Sequence, residues 1–221
     1  MKIISYLRSR NLAPIVAIYF SVGVAGMILP ATRELFKDLT PLSLLMSFAL
    51  VLLHHERFDT RFWLVSLFVF AAGVAVEAVG TATGLIFGEY SYGGTLGPKI
   101  FDTPLIIGIN WLMLVYCSLY ITGRFIDHPY FRVIAASALM VVYDFALEPA
   151  AIYLDMWGWG GGPVPLQNYI AWFVIAFVFN WVGERFRLTP RENKLAGPLF
   201  FIQLLFFILL DIWIFTERIW G

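Results

Sequence analysis

Long apolar segments dominate this sequence, and each one ends at proline, glycine or charged residues. A transmembrane helix needs roughly 17–25 apolar residues to cross the hydrocarbon core of a bilayer. The chain is 60% hydrophobic and 14% charged, whereas soluble domains are about 45–50% apolar and about 25% charged. We therefore predict an all-α protein, a polytopic integral membrane bundle of about seven transmembrane helices in a single transmembrane domain, residues 1–221. The predicted spans are 12–29, 39–55, 63–86, 103–122, 131–149, 168–184 and 197–216.

Lysine and arginine predict the orientation of these spans. Cytoplasmic loops carry an excess of both residues, and a cytoplasmic N-terminus puts eleven of them inside and four outside. We interpret 12–29 as a retained span, because it is longer than a signal-peptide core and lacks a small-x-small cleavage site. We expect a multi-pass protein of the cell (cytoplasmic) membrane, with its N-terminus cytoplasmic and its C-terminus outside. The inner residues are Lys2, Arg8, Arg10, Arg57, Arg61, Arg124, Arg132, Arg185, Arg187, Arg191 and Lys194, and the outer ones are Arg33, Lys37, Lys99 and Arg218.

This orientation brings acidic residues from several helices into the outer leaflet. Glu77 falls near the outer end of the third span, Asp102 at the outer entrance of the fourth, and Asp211 in the outer half of the seventh. Asp144 and Glu148 occupy the last turns of the fifth span. An ionisable side chain at membrane depth costs about 2.5–3.5 kcal/mol and normally faces the bundle interior. These acids are therefore candidates for a shared interior site.

Asp144 and Glu148 form the sharpest pair, because residues four apart share one helix face. Two like charges in a poorly solvated site repel, so we expect at least one of the two to hold its proton at neutral pH. Simpler interpretations stay open. Glu148, which precedes Pro149, could be interfacial, Asp102 could cap the fourth helix, and Asp211 could hydrogen-bond another helix.

Aromatic and amide residues accumulate on the same side of the predicted topology. Asn110 and Asn168 are candidates to hold a water molecule, although Asn168 could equally cap the sixth helix. His54 and His55 fall on the basic side, where we expect a solvated loop. No cysteine or histidine cluster has metal-ligand spacing, so we expect no metal and no cofactor. The candidate aromatic residues are Tyr90, Tyr92, Trp111, Trp157, Trp159, Tyr169 and Trp172.

A protonated acid beside aromatic faces suits one reaction type, the protonation of a carbon–carbon double bond in an apolar substrate. Aromatic faces attract the resulting carbocation, by about 2 kcal/mol or more per contact once water is excluded. Carboxylates fixed in a low-dielectric site stabilise the same charge. Water or a neighbouring alkene then captures the cation. The formal net charge of +0 argues against a nucleic-acid partner.

Two sequence blocks resemble a known family. The first is EAVGTATGLIFGEYSYGGTLGPKIFDTPLIIGINWLMLVY (77–116), and the second combines YDFALEPAAIYLDMWGW (143–159) with GPVPLQNYIAWF (162–173). They resemble the membrane-bound carotenoid biosynthesis proteins, a family distantly similar to membrane lycopene cyclases and including carotenoid 1′,2′-hydratases. The resemblance extends over roughly residues 60–185. Its acidic positions correspond here to Glu77, Glu89, Asp102, Asp144 and Glu148.

The resemblance implies a cofactor-independent hydro-lyase. Such an enzyme adds water across the terminal 1′,2′ double bond of a linear carotenoid end group and gives a tertiary alcohol. The implied substrate is of the γ-carotene, lycopene or bacterioruberin-precursor type, bound within the lipid bilayer. A homo-oligomer or contacts with other pathway enzymes stay open. We expect Asp144 to be the proton donor with Glu148 as its partner, while Glu77 and Asp102 are further catalytic candidates.

Other functions compete with this interpretation. A carotenoid β-cyclase would use the same protonation but let an internal double bond capture the cation. A transporter is also conceivable, because intramembrane acids mark ion paths, and so is a structural subunit of a pigment pathway. A retinal protein needs a lysine in the last helix, and the span 197–216 has none.

Overall fold

The computed structural model describes residues 10–189 and 192–220, and these form a helical bundle. Each of the seven predicted spans coincides with a helix, and one short additional helix lies between the first two. The predicted helical class is therefore confirmed in outline. The helices are α1 (Ala13–Ile28), α2 (Arg33–Asp38), α3 (Thr40–Leu53), α4 (Thr60–Thr83), α5 (Ile106–Thr122), α6 (Pro129–Tyr153), α7 (Leu166–Arg185) and α8 (Ala196–Trp220).

Four of these helices, α4, α6, α7 and α8, are long and apolar enough to cross a membrane. The other apolar helices, α1, α3 and α5, have 16, 14 and 17 residues and fall at or below the lower limit of that length. Seven crossings and the orientation of the chain therefore stay predictions. Of the basic residues used for the orientation, Lys2, Arg8 and Arg191 lie outside the described residues.

Helix α5 is the axis of the bundle. Fifteen of its 17 residues are buried, and it packs against α3, α4, α6, α7 and α8. Such a helix is apolar on every side, as expected for one surrounded by protein. The ends of its neighbours are therefore arranged around the ends of α5. One end of the bundle collects the last turns of α4 and α6 and the first turns of α5 and α7.

The predicted end of the fifth span is wrong by several residues. Helix α6 continues past Pro149 to Tyr153. Proline removes one backbone hydrogen bond, but a helix near its end or in a membrane bundle tolerates the loss. Pro149 itself lies on the exposed face. The result is that Asp144 and Glu148 sit within the helix and not at its terminus.

The two loops at this end of the bundle contain strands that the sequence interpretation treated as loops. Strand β1 (Tyr90–Tyr92) pairs antiparallel with β4 (Trp157–Trp159), and β2 (Lys99–Ile100) pairs with β3 (Thr103–Pro104). The β1–β4 sheet joins the α4–α5 connection to the α6–α7 connection. Backbone bonds extend it on both sides, from Gly93 N–H to Met156 O (2.9 Å) and from Gly160 N–H to Glu89 O (2.8 Å).

Two expectations about polar residues fail. Asp102 does not cap the fourth span, because α5 begins at Ile106 with Leu105 at its cap, while Asp102 is exposed at φ 58° in the β2–β3 turn. His54 and His55 are buried, not solvated, because the chain after α3 folds back onto α5. His55 Nδ1 lies 2.9 Å from the Tyr116 hydroxyl and its Nε2 lies 2.8 Å from Arg57 O.

Glycine permits the close approach of α4 and α5. A Cβ atom at Gly73 would lie 3.0–3.2 Å from three atoms of the Trp111 side chain, tighter than a relaxed contact. We expect Gly73→Leu to destabilise the fold by about 1–3 kcal/mol through overpacking. Thermal unfolding in detergent measures this. The matched control is Gly161→Leu, because a Cβ at Gly161 meets no atom within 4 Å. Equal melting temperatures for the two variants would show that this helix contact does not require glycine.

Candidate active site

Three acids border one small cavity at the end of the bundle where α4 and α6 terminate. Glu77 comes from α4, and Asp144 and Glu148 come from α6. Their exposed fractions are 4%, 1% and 2%, so the interpretation of Glu148 as an interfacial residue is wrong. The cavity has a volume of about 30 Å³, and a buried water needs at least about 10–15 Å³. The space therefore fits about two water molecules.

Glu77 is held by three donors. Its Oε2 accepts hydrogen bonds from the hydroxyls of Tyr90 (2.6 Å) and Tyr92 (2.7 Å), and its Oε1 accepts one from Trp111 Nε1 (3.0 Å). Gly80 makes room for this contact, because a Cβ there would lie 3.1 Å from the Tyr90 hydroxyl. Both oxygens of Glu77 are thus satisfied as acceptors, the arrangement that stabilises an ionised carboxylate.

The β1–β4 sheet supplies an aromatic cover for the cavity. In its register Tyr90 faces Trp159 and Tyr92 faces Trp157, with Ser91 opposite Gly158 between them. Successive side chains of a strand point to opposite faces, so all four aromatic residues share one face. Ser91 and Gly158 take the exposed face. The alternation in YSY and WGW is therefore what directs two tyrosines and two tryptophans towards the acids.

Glu148 accepts hydrogen bonds from the two tryptophans of this cover. Its Oε2 accepts hydrogen bonds from Trp157 Nε1 (3.1 Å) and Trp159 Nε1 (3.0 Å). Its Oε1 makes no hydrogen bond with any residue that the structure describes. One oxygen of Glu148 is thus fixed and the other is free to exchange a proton.

Asp144 has the fewest donors of the three acids. Asn168 Nδ2 donates to its Oδ2 over 2.9 Å, which rules out the capping interpretation of Asn168, because Pro165 caps α7. Asp144 Oδ1 is buried and has no hydrogen-bond partner in the described chain. A buried oxygen that bears charge and lacks a donor is costly. Asp144 is therefore the acid whose surroundings best suit a proton on the carboxyl group.

Asn110 adds a second unsatisfied polar group. Its side chain is buried, borders the cavity and makes no hydrogen bond to any described residue. Trp111, the next residue, stacks on Trp172 with ring centroids 4.0 Å apart and an interplanar angle of 19°. Trp172 and Asn110 line the cavity, whereas Trp111 does not border it and reaches the site through its hydrogen bond to Glu77.

The described residues that line the cavity include no lysine, arginine or histidine. The N-termini of α5 and α7 lie at this end, and helix N-termini favour negative charge. Asn110 lies in the second turn of α5, and Asn168 lies in the first turn of α7. Neutral donors and helix dipoles therefore replace the ion pairs that buried acids usually form.

Most of the predicted site residues come together, but not all. Glu89 and Asp102 are exposed and do not line the cavity. Tyr169 packs on Phe145 instead (centroids 5.7 Å apart). The sequence interpretation missed Phe87, Ile107 and Leu147, which complete the lining. Leu147 follows from helical spacing, three residues after Asp144, whereas Phe87 carries no comparable signal.

The fold and the site define a helical membrane protein with a buried acid site closed by aromatic residues. A family model described as "Carotenoid biosynthesis protein" matches residues 39–220, and this chain belongs to that family. The resemblance stated from the sequence blocks is thereby confirmed.

A curated relative agrees with this family. The chain is 28% identical over 159 residues to a bisanhydrobacterioruberin hydratase of Haloarcula japonica, covering 66% of this chain and 53% of the relative. The chain thus spans about half the length of that relative. No solved structure matches this chain.

The two tyrosines of the cover make the stability of the fold sensitive to alkaline pH. Burial raises the pKa of Tyr90 and of Tyr92 above the ordinary value near 10, and the charge of Glu77 raises both further. The fold retains these protons where the unfolded chain loses them. We therefore expect the free energy of unfolding to fall above pH 10, by about 1.4 kcal/mol per pH unit for each tyrosine.

Chemical unfolding between pH 9 and pH 11 measures this slope. The double variant Tyr90→Phe/Tyr92→Phe keeps both rings and removes both hydroxyls, so its slope should be shallower than that of the wild type. Identical slopes would show that the two hydroxyls do not retain their protons.

Proposed function

We propose that this protein is a carotenoid hydratase that adds water across the terminal 1′,2′ double bond of a linear carotenoid end group. Family membership supports a carotenoid substrate, and the activity for which the relative is named supports hydration. The observation that carries the proposal is a pair of polar groups that border one water-sized cavity and have no hydrogen-bond partner among the described residues. These groups are Asp144 Oδ1 and the Asn110 side chain.

Asp144 is the proposed proton donor. Its Oδ1 gives a proton to C2′ of the alkene, the π electrons form the new C–H bond, and C1′ becomes a tertiary carbocation. Water held by Asn110 attacks C1′ and forms the C–O bond. Glu148 Oε1 accepts the proton that this water loses, and transfer of that proton to Asp144 restores the starting state. The net change is the addition of one water, with no redox step.

Glu77 has a different role in this reaction. In the proposed reaction Glu77 stays ionised and does not donate a proton, because its two oxygens accept three hydrogen bonds. A fixed charge in a site that excludes water stabilises a developing cation without reorganisation. The ring of Trp172, which lines the cavity and stacks on Trp111, adds cation–π attraction. The three acids thus act as stabiliser, donor and acceptor.

A place for bound water favours a hydratase over the rival functions. A β-cyclase needs no bound water, whereas Asn110 and Asp144 Oδ1 border a cavity large enough for water and bond to none of the described residues. A transporter needs a path across the membrane. Here the acids of the cavity lie at one end of the bundle only. Hydration therefore fits the geometry best.

Removal of the donor should abolish product formation. We expect Asp144→Asn and Glu148→Gln each to lower the yield of hydroxylated carotenoid by about 10²–10⁴-fold, the usual contribution of a positioned acid or base. The measurement is pigment mass analysis in a host that makes lycopene or γ-carotene. Glu89→Gln is the matched control, because Glu89 is exposed outside the cavity, and it should keep activity within about twofold. Full activity in both site variants would remove the two acids from the mechanism.

Removal of the proposed water ligand should change which product forms. The rate at which the carotenoid substrate is consumed should stay the same. Asn110→Leu leaves Asp144 in place but makes the cavity apolar, so we expect the ratio of hydrated to anhydrous product to fall about tenfold. Product masses distinguish the two, because hydration adds one water and cyclisation adds nothing. The control is the neighbouring Ile109→Leu, because Ile109 does not line the cavity. An unchanged ratio in Asn110→Leu would exclude Asn110 as the water ligand.

A further inference from the structure

A second polar cavity lies at the opposite end of the bundle from the acids. It has a volume of about 580 Å³ and is lined by Arg124, Arg132 and Arg187 together with Glu184 and Tyr120. We name it the arginine cavity. It lies where α5 and α7 end and α6 begins. Thr122 at this end of α5 lies eleven residues beyond Trp111, which corresponds to about 17 Å along the helix.

Arg132 is already committed to partners within the fold. Its Nη1 donates to Glu184 Oε1 over 2.6 Å, and its other nitrogens donate to the carbonyl oxygens of Ile126 and Asp127. Since this ion pair uses one positive and one negative charge, the remaining charge of the cavity lining is that of Arg124 and Arg187. Neither makes a hydrogen bond or an ion pair with any residue in the described part of the chain. The lining therefore carries two uncommitted positive charges.

The backbone presents Arg187 in a conformation that arginine rarely adopts. Its φ is 56°, in the left-handed region that favours glycine. The turn that fixes it is closed by a bond from Leu188 N–H to Gly183 O (2.8 Å), and Leu188 is fully buried. Glycine would fit this position without strain. A strained arginine beside a second uncommitted arginine points to a role in binding.

Large aromatic side chains flank the same end of the bundle. Phe125 is 83% exposed and Phe186 is 47% exposed, and both adjoin residues of the cavity in sequence. Exposed aromatic residues at helix ends are typical of the interface between a bilayer and water. A basic pocket between helices at that depth attracts the headgroups of anionic lipids.

We infer that the arginine cavity binds the phosphodiester headgroup of an anionic phospholipid, with Arg124 and Arg187 as its charged ligands. The headgroup enters the cavity from the surrounding bilayer, and the acyl chains of the lipid stay against the apolar surfaces of the helices. The predicted orientation places this end on the cytoplasmic side. Lipid binding here is independent of the carotenoid reaction, because neither arginine borders the acid site.

Native mass spectrometry of the full chain in detergent tests this site, with phosphatidylglycerol and phosphatidylcholine as the added lipids. We expect the wild type to bind phosphatidylglycerol about tenfold more tightly than phosphatidylcholine. Arg124→Gln/Arg187→Gln should reduce this preference to about twofold or less. The matched control is Arg57→Gln/Arg61→Gln, which removes two exposed arginines from the same predicted side but outside the cavity. An equal loss of preference in both double variants would overturn the site in favour of general surface charge.

Two further measurements separate lipid binding from a structural role and from binding of a soluble anion. Arg187→Gly removes a charge and the backbone strain together, so its melting temperature should stay level or rise while phosphatidylglycerol binding weakens. A fall in melting temperature with unchanged lipid binding would show that Arg187 is structural. Inorganic phosphate at millimolar concentration should not displace the lipid, and complete displacement would identify a site for a soluble anion. Carotenoid product formation should be unchanged in all of these variants.

Discussion

The burial of three carboxyl groups without a cation is the constraint on which the site depends. Buried acids are normally paired with a positive charge or coordinated to a metal, yet the donors to Glu77, Asp144 and Glu148 within the described chain are all neutral. Those donors are hydroxyl, indole and amide groups, each of which carries an apolar body suited to a membrane interior. The same side chains therefore satisfy the acids and build the apolar walls. An arginine would neutralise the charge of a carboxylate. It would also favour the ionised form of the acid, which has no proton to donate.

The unequal distribution of these donors separates the chemical roles of the acids. Glu77 accepts three hydrogen bonds, Glu148 accepts two at a single oxygen, and Asp144 accepts one. Like charges placed close together do not all stay ionised. In the proposed reaction the proton belongs on the acid with the fewest donors, because protonation of that acid weakens the fewest charge-assisted hydrogen bonds. The difference in donor count thus supports the assignment of Asp144 as the proposed proton donor.

The sequence predicted the helical parts of this site and missed the parts that depend on pairing between distant segments. The spacing of four residues predicted that Asp144 and Glu148 share one helix face. Glu77 was predicted to face the bundle interior because an ionisable side chain within the membrane costs free energy. The pairing of Tyr90 with Trp159 joins residues 69 positions apart, and local pattern carries only the weak alternation of YSY and WGW. Glu89 and Asp102 were wrongly grouped with the cavity because an acid in a loop has no burial signal. His54 and His55 show the reverse error, since the chain folds back after α3 and buries two polar rings.

The proposed reaction requires the aromatic cover to move. The cavity holds about 30 Å³, whereas a cavity that binds benzene has about 150 Å³, so a branched isoprenoid end group does not fit in the closed arrangement. Four side-chain hydrogen bonds attach the β1–β4 cover to the acids. Their donors are Tyr90, Tyr92, Trp157 and Trp159. In the proposed reaction, displacement of the cover therefore removes these four donors from Glu77 and Glu148 as it enlarges the cavity for the substrate. Movement of the cover and a change in the hydrogen bonding of these two acids are in this way one event.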